Sequence, residues 1–286
     1  MMDFYIILTA SLVAINCALM GCFLVMRKMV MIGDAISHAV LPGIFIAYYI
    51  SGTTASLPIL IGAALSGILA TIMIEWFTKK ARLQSDAAIG ISYTLLFAIG
   101  VILISKFGEN ADLDQECVLY GEIEYITGWL QPFIGGFELP KQTIILLIVC
   151  VILITAVVWG YKGLFITTFD PNFALSTGVA VTFWHYFLMS GVSLTTVVSF
   201  ESVGAILVIA FLSGPPAIAY LLTEDFKKML VLACLVGIAC SVAGYYFAVW
   251  LDVSVAGSIA TMIGIAFIVV FTFTSLLKSK ADVISA

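Results

Sequence analysis

Long apolar stretches, separated by short polar segments, run along the whole chain. About 20 residues of helix cross the hydrocarbon core of a bilayer, so each stretch is long enough to be a transmembrane span. Nine such stretches occupy residues 4–26, 29–49, 57–77, 87–105, 142–161, 178–195, 200–222, 229–250 and 257–277. The pattern predicts an all-α transmembrane bundle of eight or nine helices that forms a single domain over residues 1–286.

Composition supports a membrane protein. Charged residues make up 10% of the chain and hydrophobic residues 63%. A water-soluble domain with that balance would expose large apolar patches. Only Cys117 of the six cysteines falls clearly outside an apolar stretch, so we expect packing residues rather than a disulfide framework.

The lysines and arginines indicate the orientation of the bundle. With connections placed alternately outside and inside, Lys106 and Lys141 fall on one side. Ten basic residues fall on the other side: Arg27, Lys28, Lys79, Lys80, Arg82, Lys162, Lys227, Lys228, Lys278 and Lys280. The positive-inside rule makes this second side cytoplasmic, which puts the N-terminus outside and the C-terminus inside.

The longest connection, residues 106–141, is then external and acidic. Its acidic residues are Glu109, Asp112, Asp114, Glu116, Glu122, Glu124 and Glu138. An acidic external mouth suits a cation or a basic docking partner, and a solvated loop without a partner is the alternative.

Few polar markers separate the sixth span from the seventh. We expect the hairpin between them to turn near residues 193–199. Further along, Gly214, Pro215 and Pro216 are expected to kink or locally unwind the helix, because proline removes a backbone donor.

The second span carries two residues with metal-binding chemistry, Asp34 and His38. Four residues of helix advance about 6 Å and return to within roughly 40° of the starting direction, so the two side chains face the same point. A carboxylate inside the bilayer costs about 2.5–3.5 kcal/mol on insertion scales and normally faces a partner or a transport pathway. One divalent cation would take both ligands, and oxygen plus imidazole suits manganese, iron or zinc. A structural ion pair is the alternative.

Glu201 is a second intramembrane carboxylate, near the outer end of the predicted seventh span. It is a candidate third metal ligand or a waypoint near the external entrance. Asp34 lies nearer the inner end of its own span, so a shared site would have to be extended. A solvated glutamate at a helix end is the alternative. The other intramembrane polar residues, His185 and Asn16, are expected to be structural, with Asn16 bonding between helices.

The cytoplasmic segment 162–178 contains a short predicted helix. Asp170 and Pro171 form an N-cap and first-turn pair, and Gly178 is placed to end the helix. Such a helix suits contact with an ATPase partner, although an ordinary connecting helix would have the same pattern. The chain has no P-loop of the Gly-x-x-x-x-Gly-Lys-Ser/Thr type, so it is not expected to hydrolyse ATP itself.

Residues 21–27 and 31–43, the latter reading Met-Ile-Gly-Asp-Ala-Ile-Ser-His-Ala-Val-Leu-Pro-Gly, resemble the metal-ion family of bacterial ABC importer permeases. The likeness continues through residues 85–91, 119–123, 168–174, 202–207 and 215–217, and it covers nearly the whole chain.

The resemblance implies a type II ABC importer permease in a bacterial plasma (inner) membrane. Its implied partners are two copies of a cytoplasmic ATP-binding subunit, an extracytoplasmic metal-binding protein, and a second permease copy or a paralogue. The divalent metal is the transported substrate, and neither a permanently bound cofactor nor a nucleic-acid partner is implied.

The resemblance also assigns residues. Asp34 and His38 match the family's metal-pathway residues, whereas Glu201 departs from the pattern because many relatives are uncharged there. The residues that match the ATPase-coupling region are Phe169, Asp170, Pro171, Phe173, Ala174 and Gly178. A gradient-driven secondary cation transporter is the main alternative, because it would use the same intramembrane carboxylates.

Overall fold

The structure, a computed structural model, describes residues 2–52, 56–107, 130–132 and 138–285. The helices of these residues are α1 (Met2–Met26), α2 (Met31–Ala39), α3 (Leu41–Ser51), α4 (Ser56–Lys80), α5 (Ser85–Phe107), α6 (Lys141–Phe169), α7 (Pro171–Ser176), α8 (Val181–Val203), α9 (Ala205–Leu222), α10 (Phe226–Leu251) and α11 (Val255–Ser285). Strands β1 (Leu130–Pro132) and β2 (Glu138–Pro140) pair antiparallel, with Gln131 opposite Leu139. Cys117 and the acidic residues of the external connection other than Glu138 lie outside the described residues.

Nine helical segments of the described residues are long and apolar enough to cross a membrane, which confirms the predicted bundle. α2 and α3 together form the second span, and the short α7 lies between the fifth and sixth spans. α6 runs to Phe169, beyond the predicted end at residue 161. The predicted cytoplasmic segment therefore begins as helix.

α1 is the central helix, and it packs against α6, α8, α9 and α10. Asn16 on α1 donates from Nδ2 to the carbonyl of Leu146 on α6 at 3.3 Å, which confirms the predicted bond between helices. The hydroxyls of Thr9 and Thr143 join the same two helices at 2.8 Å. Buried polar groups in a bilayer need such partners, so these bonds fix the register of α1 against α6.

The turn between the sixth and seventh spans lies at Gly204, so the prediction of a turn near residues 193–199 is wrong. α8 continues to Val203, and Gly204 takes a φ of 78° before α9 begins. Ser193 and Ser199 are buried inside α8. Ser193 donates to the carbonyl of Ala64 on α4 at 3.4 Å, so its hydroxyl is satisfied without water. Ser193 and Ser199 therefore lie at contacts between helices and do not form a loop.

α9 remains helical through Pro215 and Pro216, so the local unwinding expected at this point is absent from the described backbone. Pro216 has no N–H to donate to the carbonyl of Leu212. Gly21 of α1 lies against that carbonyl, where an added Cβ would be 2.2 Å from the oxygen. Because residue 21 is glycine, α1 can approach α9 at the carbonyl of Leu212, which has no helical N–H donor.

Candidate metal pathway and cytoplasmic segment

Val40, between α2 and α3, has helical φ and ψ angles, so the second span is continuous but lacks one backbone hydrogen bond at His38. α2 ends at Ala39, α3 begins at Leu41, and Pro42 stands in the first turn of α3. Because Pro42 has no N–H, the His38 carbonyl has no helical donor four residues on. The hydroxyl of Ser66 on α4 donates to the neighbouring carbonyl of Ala39 at 2.6 Å and joins α4 to this part of the second span.

Asp34 and His38 lie one turn apart on α2, with Asp34 Oδ1 and His38 Nε2 separated by 3.4 Å. Two donors bound at about 2.1 Å to a tetrahedral ion lie about 3.4 Å apart. The separation therefore fits one shared divalent cation, and it also fits an ion pair with a protonated His38. The described residues contain no group of three or more His, Cys, Asp or Glu side chains placed to hold a metal, so this chain offers two such ligands at this point.

Asp34 and His38 lie on the less buried side of α2. Their side chains are 24% and 29% exposed, and Met31, one turn before Asp34, is 57% exposed. The opposite side of the helix is buried against the rest of the bundle, with Ile32 and Ile36 at 1% or less. A carboxylate that faced lipid at this depth would be costly, so this side of α2 has to meet water or protein.

Two aromatic residues of α5 hold the imidazole of His38 from the side. The ring of Tyr93 lies 5.9 Å from the His38 ring, and the ring of Phe97 lies 5.8 Å from it in an edge-on arrangement. Sequence reasoning missed both residues, because an aromatic pair four positions apart in an apolar span is typical of packing. Its position beside a ligand histidine is visible only in three dimensions.

Glu201 is not brought together with Asp34 and His38. It lies at the C-terminal end of α8, is exposed, and interacts electrostatically with Lys141 at the start of α6. The third-ligand prediction has no geometric support in the described residues. The alternative role, a waypoint near the external entrance, stays a prediction.

The short helix α7 has the predicted ends. Asp170 caps it, because its Oδ1 accepts from the N–H of Phe173 at 2.9 Å. At the other end Gly178 has a φ of +77° and donates to the carbonyl of Leu175, while the next N–H reaches the carbonyl of Ala174. This is a Schellman motif, which requires the left-handed conformation that glycine adopts readily.

α7 exposes apolar side chains on the side away from the bundle. Phe173 is 54% exposed and Leu175 is 63% exposed, whereas Ala174 is buried against the bundle. Phe169, at the end of α6, is 45% exposed and packs edge-on against Phe226 with ring centroids 5.5 Å apart. Together, α7 and the end of α6 therefore present a small exposed apolar patch.

The sequence profile of the ABC 3 transport family matches residues 2–274. The chain belongs to this family. It is therefore an ABC transporter permease and a multi-pass membrane protein, which confirms the resemblance given by residues 21–43.

Curated members of the family are close in sequence. The chain is 44% identical over 271 residues to the manganese transport system membrane protein MntD of Bacillus subtilis (strain 168), covering 94% of this chain and 91% of that protein. It is 40% identical over 273 residues to the zinc transport system membrane protein TroD of Treponema pallidum (strain Nichols), covering 96% and 74% of the two chains.

A solved structure of a family member has the same fold. A chain of PsaBC from Streptococcus pneumoniae, solved in complex with Fab, superimposes with a TM-score of 0.77 at 32% identity, covering 93% of this chain and 90% of that one. The likeness confirms the predicted fold class, an ABC importer permease-like helical bundle.

Proposed function

We propose that this chain is the membrane-spanning subunit of an ATP-driven importer of a divalent transition-metal ion. The observation that carries the proposal is the pair Asp34 and His38, whose donor atoms stand 3.4 Å apart on the second span, one turn before Pro42. A carboxylate and an imidazole suit manganese, zinc or iron, and the related permeases carry manganese and zinc in their names.

Two ligands are too few to strip a metal ion of most of its water. Permeases of two-fold symmetric complexes meet at a self-complementary face, so the same two residues of a second copy, or of a paralogue, would approach across the axis. Four ligands would then surround the ion, and the half-exposed side of α2 would face protein or water instead of lipid. The proposed site thus lies between two permeases.

The ATP is proposed to be hydrolysed by two cytoplasmic ATP-binding subunits, each of which receives α7. Phe173 and Leu175 expose apolar surface there, and Phe169, which packs on one side against Phe226, is 45% exposed beside them. The basic residues support the same orientation, with the N-terminus outside, the C-terminus in the cytoplasm and the plasma membrane of a bacterium as the location. An extracytoplasmic binding protein would deliver the metal to the opposite side.

The metal is cargo and has to leave again. A site open to water with two ligands from each permease is weaker than a closed structural site. Rearrangement of the two permeases would separate the paired ligands and release the ion towards the cytoplasm.

The first experiment is uptake by proteoliposomes that hold the chain, its ATP-binding subunit and its binding protein. Manganese, zinc and iron(II) are offered separately, with internal ATP or with an imposed proton or sodium gradient. The proposal expects accumulation of at least one metal with ATP and none with a gradient alone. Uptake driven by a gradient without ATP would favour a secondary transporter, and no uptake of any metal would contradict the proposal.

A further inference from the structure

Arg27, at the cytoplasmic end of α1, has three side-chain partners from distant parts of the chain. Its Nε donates to the hydroxyl of Thr168 at 3.0 Å, and its Nη2 donates to the hydroxyl of Thr167 at 3.1 Å. Its Nη1 lies 3.4 Å from Nδ1 of His185. We call these four residues the Arg27 cluster.

The hydrogen-bond donors of Arg27 determine which ring nitrogen of His185 carries the proton. Burial lowers the pKa of Arg27 to about 10, which still leaves the guanidinium charged near neutral pH. A guanidinium has donors but no acceptor, so Nδ1 of His185 must accept and its ring proton must lie on Nε2. The hydroxyl of Thr167 donates to the carbonyl of Gly163 at 2.8 Å, so this threonine keeps a partner whether or not Arg27 is present.

The partners of Arg27 lie at the base of α7. Thr167 and Thr168 belong to the last turn of α6, immediately before Phe169 and the N-cap Asp170. His185 lies in the second turn of α8, which follows α7. Arg27 therefore bonds to the helix that enters the ATPase-facing segment and to the helix that leaves it.

Along the chain, a short hydrogen-bonded turn connects Arg27 to α2, which carries Asp34 and His38. Lys28 takes a left-handed φ of 57°, and its N–H bonds to the carbonyl of Val25. The N–H of Met29 reaches back to the carbonyl of Leu24 at 2.9 Å, which completes a Schellman motif at a residue that is not glycine. α2 begins at Met31, four residues after Arg27, so a displacement of Arg27 would move the start of the helix that carries Asp34.

A second set of contacts beside the cluster reaches α4. The hydroxyl of Tyr186, next to His185, donates to a carboxylate oxygen of Glu75, whose other oxygen pairs with Lys79. α4 also bears Ser66, which donates to the carbonyl of Ala39, the residue after His38. A side-chain contact with α4, the helix that bears Ser66, therefore lies next to the Arg27 cluster.

We propose that Arg27 is the positioning residue that transmits movement of α7 to the metal-pathway helix α2, through its bonds to Thr167, Thr168 and His185. This role deepens the proposed function and rests on it for the direction of transport. If these bonds only held the helices together, they would stabilise the bundle equally with and without ATP. A transmitting contact is required specifically when the ATP-binding subunits move α7.

The test reads the movement of α2 without using metal transport. Met31, at the start of α2, is 57% exposed and is replaced by cysteine in a variant from which the six native cysteines have been removed. The rate at which a maleimide labels Met31→Cys is measured in the reconstituted complex with and without ATP. Arg27→Ala is compared with Arg82→Ala, because Arg82 is the other arginine of the chain and is exposed on the cytoplasmic α4–α5 turn.

Arg27→Ala is expected to reduce the ATP-dependent change in labelling at least fivefold while ATP hydrolysis stays within about twofold, and Arg82→Ala is expected to change neither. The double substitution Thr167→Val with Thr168→Val should have the same effect as Arg27→Ala. The matching pair Thr167→Ser with Thr168→Ser should restore the response, because serine keeps the hydroxyl.

An ATP response that is equal with and without Arg27, or absent in the parent protein, contradicts the proposal. The proposal is also contradicted if Arg27→Ala prevents assembly of the complex while the double valine variant keeps a normal ATP-dependent change in labelling. Arg27 would then have a structural role only. A parent protein that shows the Arg27-dependent response but imports no metal supports the coupling role and overturns the proposed substrate. The two proposals therefore fail separately.

Discussion

At the residue scale, small side chains decide where helices touch. Gly43 on α3 and Gly62 on α4 face each other so closely that an added Cβ on Gly43 would lie 2.2 Å from the Gly62 oxygen. Gly62 and Ser66, four residues apart, form a pattern of small residues that permits close packing on this side of α4. It did not predict Gly43 as the partner, because nothing in a sequence relates positions on two different helices.

Gly43→Ala is expected to destabilise the protein by about 1–3 kcal/mol, because the backbone of α4 would have to move away. The unfolding midpoint in detergent should fall by roughly 2–12 °C. Gly90→Ala is the matched control, since an added Cβ there meets nothing within 4 Å and alanine is the better helix former. Equal midpoints for the two variants would show that α3 and α4 are not packed this way.

At the element scale, the number of spans and their helical type could be predicted, but the end of α6, the end of α8 and the start of α9 could not. A 20-residue apolar stretch is long enough to identify a span without knowledge of its neighbours. The α8–α9 turn was misplaced because Ser193 and Ser199 give the segment the polarity of a loop. Their hydroxyls are satisfied against α4 and α1, and this depends on contacts between distant residues.

α7 was predictable in detail because its ends depend on local residues. Asp170→Ala removes the acceptor for the Phe173 N–H and should cost about 1 kcal/mol of helix stability. If α7 binds the ATP-binding subunit as a formed helix, affinity between the two subunits should fall about fivefold. Asp170→Ser, which keeps an acceptor, should bind normally. The prediction fails if the serine variant binds as weakly as the alanine variant in a pull-down titration.

At the scale of the whole molecule, the distribution of charge predicts which side faces the cytoplasm. Single cysteines at Lys80 and Lys106, introduced into a cysteine-free variant that retains function, lie at opposite ends of the bundle. An impermeant maleimide added to intact cells should label Lys106→Cys and not Lys80→Cys. Inside-out vesicles should give the reverse. Labelling of both cysteines from the same side of the membrane, or the opposite pattern, would contradict the predicted orientation.

The metal pathway was predictable in part. Asp34 and His38 were identified because a carboxylate and an imidazole at a spacing of four are costly in a membrane unless they serve a purpose. The surroundings of the pair, which include Tyr93 and Phe97, come from another helix and were missed. Glu201 was included on residue type alone, and its position beside Lys141 does not bring it to the pair.

The most direct test of the central claim is ATP-dependent uptake of manganese and zinc by reconstituted complexes that carry Asp34→Ala or His38→Ala. Ser37→Ala is the matched control, because Ser37 lies on the same helix but is buried and donates to the carbonyl of Gly33 in its own helix. The account predicts at least a tenfold loss of uptake in both ligand variants, with the ATP-binding subunit still assembled and Ser37→Ala near the parent rate. Uptake by Asp34→Ala and His38→Ala at the parent rate would contradict it, since the pair would then be a structural contact and not part of the metal pathway.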